Sequence, residues 1–249
     1  MAITASLSAR TILRTVWDDL GELWVRLRSQ SIIAFASAVF FTFIGPAITD
    51  NSILAEVIAL IGTAVVVPFE IAIYRLLILG EAASGYRFDI STVRFQRMVG
   101  WSVGFCVLSN IPFYPFYLSG ALAPSEGAEV SIDIVLFALV IFATVRLTIF
   151  LPSIAVDAPG ASIRNAFADT SGHAWLIVKA YLTILVPVIL IVISMSLLAV
   201  DDIFDKGSLA GNAFFGAVGF LLSTCFAIVS ARLFMKIADR VKSAPEASE

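Results

Sequence analysis

The Lys and Arg residues of this chain fall in or beside alternate gaps between long apolar runs, Lys206 being the exception, while the intervening gaps carry almost only Asp and Glu. Translocated loops lose cations and cytoplasmic flanks keep them, so the alternation predicts both the number of membrane crossings and their direction. It names no substrate. Composition points the same way: 59% hydrophobic and 14% charged residues, with mean hydropathy +0.97, would leave a water-soluble globule short of polar surface. A crossing takes about 20 residues, so six crossings are expected to use nearly all 249 residues. The net charge of −3 matters only through its split across the bilayer, and no basic groove is left over for nucleic acid.

The apolar runs are approximately 31–49, 53–79, 98–119, 134–156, 175–200 and 211–237, and all six are predicted transmembrane helices. Arg10, Arg14, Arg26 and Arg28 precede the first, the turn near Asp50 holds no cation, and Arg87, Arg94 and Arg97 fill the next connection. The 120–133 connection offers Glu126, Glu129 and Asp133; the one after it has Arg164, with Lys179 just inside the fifth helix. Asp201, Asp202 and Asp205 mark the last outer loop, and Arg232, Lys236, Arg240 and Lys242 bring the chain back. Both termini are therefore expected in the cytoplasm.

Residues 1–30 lack the continuous apolar segment and small-residue cleavage site of a signal peptide. Instead Ile12, Leu13, Val16, Trp17, Leu20, Leu23, Trp24 and Leu27 follow a 3.6-residue period, with Arg14, Asp18, Asp19, Glu22 and Arg26 on the other side. This predicts an interfacial amphipathic helix whose Trp17 and Trp24 sit at headgroup depth on a lipid-facing stripe.

The sequence also carries a weak internal echo. Arg75-Leu76, Arg146-Leu147 and Arg232-Leu233 sit at corresponding ends of the second, fourth and sixth runs, and Trp24, Trp101 and Trp175 stand near the starts of the odd ones. Three hairpins are implied, each after an interfacial segment at 11–28, 89–97 or 161–171. Duplication explains this, and so does the ordinary tendency of inward helix ends to gain Arg and Trp. Pro46, Pro112, Pro115 and Pro187 could bend their helices or border a cavity, since neighbours must satisfy the freed backbone. The aromatic cluster Asn110 to Tyr117 reads as interfacial belt. Small pairs four apart, Ala34 with Ala38, Gly100 with Gly104 and Ala213 with Ala217, suggest close helix packing.

An ionisable group deep in lipid costs roughly 2.5–3.5 kcal/mol on insertion scales, so it marks structure or function. Glu70, just after Pro68, precedes Glu81 by eleven positions, about 16 Å along a continuous helix. Arg75 is five positions from Glu70, about 140° around the helix and a poor partner. A candidate intramembrane charge network of Glu70, Arg75, Arg146 and Arg232 follows, with Glu70 expected to pair with Arg146 or Arg232. It would lock hairpins together or form a proton, ion or substrate site.

Enzymatic signatures are absent. His173 is the sole histidine, Cys106 and Cys225 are far apart within apolar runs, and there is no zinc-protease motif, paired-cysteine motif or P-loop. Ser171-Gly172-His173 lacks an evident orienting carboxylate. No catalytic residue, metal site or cofactor is expected.

The stretch from Arg146 through Pro152 and Asp157, then Ala166, Thr170, Gly172 and Trp175, resembles the six-helix bacterial inner-membrane proteins similar to the membrane domain of glycerophosphodiester phosphodiesterases. The likeness covers about thirty residues in detail and implies a multipass protein of the bacterial inner membrane. It carries over no catalytic residue, because phosphodiesterase chemistry would need a separate barrel of about 250 residues. The expected organisation is all-α: an interfacial helix at 1–29, a six-helix domain of three hairpins at 30–240, and a cytoplasmic tail at 241–249. Its expected role is non-catalytic association with membrane lipids, a membrane-protein partner or a second copy of itself. The alternative is a small solute or ion transporter using Glu70 and the Arg residues, with Trp17, Trp24, Trp101 and Trp175 as interfacial anchors.

Overall fold

A computed structural model describes residues 9–48, 52–82, 85–110, 126–197 and 209–243. Asp50, Pro112, Pro115, Asp201, Asp202, Asp205 and Lys206 lie outside them, as do the side chains of Pro46, Glu126, Glu129 and Asp133. All regular structure among the described residues is helical: α1 (Ala9–Arg26), α2 (Arg28–Ile48), α3 (Ser52–Leu79), α4 (Val93–Asn110), α5 (Glu126–Leu147), α6 (Phe150–Ala155), α7 (Ile163–Thr170), α8 (Ala174–Leu197) and α9 (Leu209–Ile237). Among them, four spans are long and apolar enough to cross a membrane: Leu54–Leu79, Ile134–Ala155, Ala174–Ser194 and Gly211–Ile237. The bent pair α1–α2 brings the number to five if it counts as one span. The α4 helix opens with Arg94, Gln96 and Arg97, and its apolar run continues beyond Asn110, outside the described residues.

At Leu27 the chain turns through 103° between α1 and α2. Hydrogen bonding continues around the corner, Leu27 N–H donating to Leu23 O at 2.7 Å and Ser31 N–H to Leu27 O at 2.8 Å. The apolar stripe of α1 divides its work. Ile12, Val16, Leu23 and Leu27 are buried, and α1 packs on α2, α8 and α9, so the centre of the stripe faces protein rather than lipid. Leu13, Trp17 and Trp24, displaced around the helix, stay exposed. Asp19 departs from the expected polar side: it lies seven after Ile12 and four before Leu23, on the buried face.

The centre of the bundle is α2, α3 and α9, which pack on one another closely. A Cβ at Gly62 would lie 2.7 Å from Phe41 Cβ, and one at Gly216 2.9 Å from Val39 Cα, so these glycines set the spacing. Gly100 and Gly104 have open space in the same place and play no such part. By contrast α5 and α8 are peripheral, with 22% and 17% of their apolar windows buried against 39% for α3 and α9. Of the expected hairpins, α2 packs on α3 and α8 on α9, whereas α4 meets the following span mainly through α6.

Local sequence explains the breaks. Pro152 has no N–H to offer Thr148 O, and the helix lapses at Thr148 and Ile149 before resuming as α6. At the end of α6 Asp157 adopts φ 53°, with Asp157 N–H on Ile154 O at 3.2 Å and Ala158 N–H on Ser153 O at 2.9 Å. That is a left-handed helix stop with Asp in the place usually taken by Gly. Ser162 caps α7 by accepting from Asn165 N–H at 3.2 Å. The segment expected to be interfacial at 89–97 is no separate helix: a turn at Asp89–Thr92 leads straight into α4, capped by Thr92.

Candidate functional site

The three arginines and Glu70 do not form one network, and the pairing of Glu70 with Arg146 or Arg232 is not what the structure contains. Each arginine ties down a peripheral segment instead. Arg232 grips Asp19 of α1 through two hydrogen bonds, Nε to Oδ2 at 2.8 Å and Nη2 to Oδ1. Arg146 reaches Phe167 O of α7 at 3.4 Å, with its guanidinium 5.4 Å from the Phe142 ring centre, and Thr170 Oγ1 donates back to Arg146 O at 3.1 Å. Arg75 bonds Glu81 and donates to Ala155 O at 3.3 Å, while its Nη1 lies 3.5 Å from Asp157 Oδ2. Arg94 completes that cluster on the same Asp157 oxygen. The helix ends were crowded with carboxylates and carbonyls closer than Glu70, and short range wins in electrostatics.

With the arginines occupied, Glu70 has no ion-pair partner among the described residues. Its recorded side-chain hydrogen bond comes from Ser102 Oγ, which donates to Oε2 at 3.3 Å. A carboxylate can accept about four hydrogen bonds, so Ser102 fills part of that capacity, and Glu70 also borders open space. That space is a cavity of about 340 Å³ between α3, α4, α5, α6, α8 and α9, with Glu70, Tyr74, Ser102, Thr148, Tyr181 and Ser230 in its wall. A second cavity of about 300 Å³ lies toward α2 and shares Thr63, Glu70 and Ser223 with the first. Glu70 therefore stands at the junction of two cavities whose walls are mostly apolar, with hydroxyls among them.

The floor of the first chamber is a hydroxyl cluster. Tyr181 Oη and Ser230 Oγ are 2.7 Å apart, Thr148 Oγ1 bonds Tyr181 Oη, and Thr148 lies 3.4 Å from Ser230. Thr148 is the residue whose carbonyl Pro152 leaves without a helical donor, so the break in the α5–α6 span also delivers a hydroxyl to the cavity. Toward the other end, Asn110 Nδ2 donates to Glu56 Oε1 at 3.1 Å. On the far side of Glu70, Tyr86 from the α3–α4 connection donates its hydroxyl to Val65 O, next to the backbone opened by Pro68. Burial, with a smaller contribution from the Glu70 carboxylate, pushes the Tyr86 phenol up to about 12.

Only Glu70 of this chamber was singled out from sequence. Part of the remainder has a legible signature: Thr63 and Glu70 are seven apart on α3, Ser102, Cys106 and Ser109 follow at four and three on α4, and Ser223 and Ser230 are seven apart on α9. Such spacing puts each set on one helix face. Of the expected anchors, Trp17, Trp24 and Trp175 are exposed, whereas Trp101 is half-buried and packs edge-on against Phe150 at 5.0 Å. Compared with known protein families, curated proteins and solved structures, the chain matches none. Among the described residues no group of His, Cys, Asp and Glu could hold a metal ion. The chamber's chemistry is that of one carboxylate among hydroxyls, suited to a proton, a small cation or a protonated amine.

Proposed function

We propose that this chain is a multipass membrane protein that moves a small cation or protonatable solute past Glu70 without covalent chemistry. The observation that carries this reading is the carboxylate itself: a costly group within an apolar span, bordering a cavity with hydroxyls in its wall, and with no arginine neutralising it. A merely structural charge would be expected to be paired. Six crossings with both termini cytoplasmic are part of the proposal, supported by the alternation of cations and by α2 and α4 packing among the four clear spans. The setting proposed is the bacterial inner membrane. Its kinship with the membrane-domain proteins resembled by residues 146–175 is proposed too, supported by the succession of Arg146, Pro152, Asp157, α7 and Gly172.

Reconstitution into sealed vesicles tests the function. Under imposed gradients of protons, sodium, potassium or a protonated amine, the wild-type chain should pass at least one of them, and Glu70→Gln should abolish that flux while retaining the thermal transition. Absence of flux for the whole panel, or flux unchanged in Glu70→Gln, contradicts the reading. Association with lipids, the other expected role, is favoured by a different feature, an apolar groove at the α1–α2 corner.

A further inference from the structure

We propose that this corner is a binding site for one anionic phospholipid, an acyl chain lying in the groove and the headgroup held by Arg28. The groove encloses about 380 Å³ between the two arms of the bend. Its floor is Leu23, Ser31, Phe69 and Thr224, all buried, and its rim is Trp24, Ile32, Phe35 and Leu221, all exposed. The hydroxyl of Thr224 is spent on Phe220 O at 2.8 Å, so it adds little polarity to the floor. A slot of that kind rejects water and suits hydrocarbon.

The bend supplies the depth scale. With α2 crossing the membrane, a 103° turn lays α1 close to the membrane plane, its exposed Trp17 and Trp24 at the interface that such rings favour. Arg28 is the first residue of α2 and so stands at headgroup level. Ile32 and Phe35 follow four and seven positions on, about 6 and 10 Å deeper, among the acyl chains. Rim and floor thus meet a lipid in the right order.

Charge selects the class of headgroup. Arg28 is exposed, stacks its guanidinium 6.0 Å from the Trp24 ring centre, and has no carboxylate partner among the described residues. Neighbouring Arg26 is already engaged, by Glu22 at 2.9 Å and by Gly80 O at 3.1 Å. An exposed guanidinium beside Trp24 on the rim of an apolar slot matches a phosphate-bearing anionic lipid better than a zwitterionic one, whose ammonium it would repel. This groove shares no lining residue with the larger Glu70 cavity and shares Phe220 with the smaller one.

The test is native mass spectrometry of the detergent-purified full chain, offered phosphatidylglycerol, phosphatidylethanolamine and phosphatidylcholine with identical acyl chains. The wild-type chain should retain one phosphatidylglycerol in preference to the others. Arg28→Gln should cut that preference about fivefold, the worth of one arginine at an anionic surface, and Ile32→Trp, which fills the slot, should reduce retention of all lipids. Both positions are exposed, and an unchanged melting transition confirms that the variants fold. Equal retention of the three lipids by the wild type, or retention unaffected by either variant, overturns the proposal. So does a photoreactive side chain at position 35 that cross-links to a second copy of the chain or to another protein rather than to lipid.

Discussion

Asp19 and Arg232, 213 positions apart, close the bundle by joining the first described helix to the last. The two partners sit in unequal surroundings, since the Asp19 side chain is 5% exposed and that of Arg232 41%. Arg232→Ala strands a buried carboxylate, whereas Asp19→Ala leaves an arginine that reaches water. Each change should lower stability, by about 1–3 kcal/mol for lost hydrogen bonds to a charged group, with Arg232→Ala the more damaging. The double variant should lose less than the sum. Thermal unfolding in detergent measures this, and equal or reversed single effects would contradict the account. The burial of Asp19 was legible in its spacing from Ile12, Val16 and Leu23. Its charge suggested the polar face, but angular position around the helix decided. Its partner was not legible, because no periodicity links residues so far apart.

The elements show where local chemistry sufficed and where packing intervened. Pro152, lacking an N–H, accounts for the break before α6, Ser162 caps α7, and the amphipathic period of residues 12–27 gave α1 its limits within a few residues. The fate of 89–97 was not legible, because Asp89, Ser91 and Thr92 offer a turn and an N-cap as readily as the start of an interfacial helix. Nor could sequence show that the tail after α9 folds onto α7 and the α6–α7 connection. There Asp169 accepts from Arg240 and Val241 N–H at 3.1 and 3.0 Å, and Gly160 N–H donates to Val241 O at 3.0 Å. A Cβ at Gly160 would lie 2.3 Å from Arg240 O and 2.6 Å from Ser243 O, both backbone atoms that cannot swing aside. Gly160→Ala should therefore detach this tail, at a cost of about 1–3 kcal/mol typical of overpacking. Limited proteolysis should cleave the variant after residue 237 much faster than the wild type; equal rates would show that the contact yields without loss.

At the scale of the whole molecule, arginines do structural work at one end of the bundle and leave the interior carboxylate free. That the chain holds helices long and apolar enough to cross a membrane was legible in its composition and apolar runs, because lipid imposes those on any segment that enters it. The chamber was not, since its walls come from six helices and no stretch of sequence contains more than a fragment of it. Native Cys106 lies in that wall and Cys225 does not, which supplies a built-in probe once Cys225 is replaced by Ala. The decisive measurement is the rate at which Cys106 in the membrane-embedded protein reacts with small cationic and anionic methanethiosulfonates. A water-filled chamber governed by an unneutralised Glu70 predicts reaction with both, the cationic reagent faster by about tenfold through local concentration, and loss of that preference in Glu70→Gln. No reaction with either reagent, or equal rates for the two in the presence of Glu70, would contradict it.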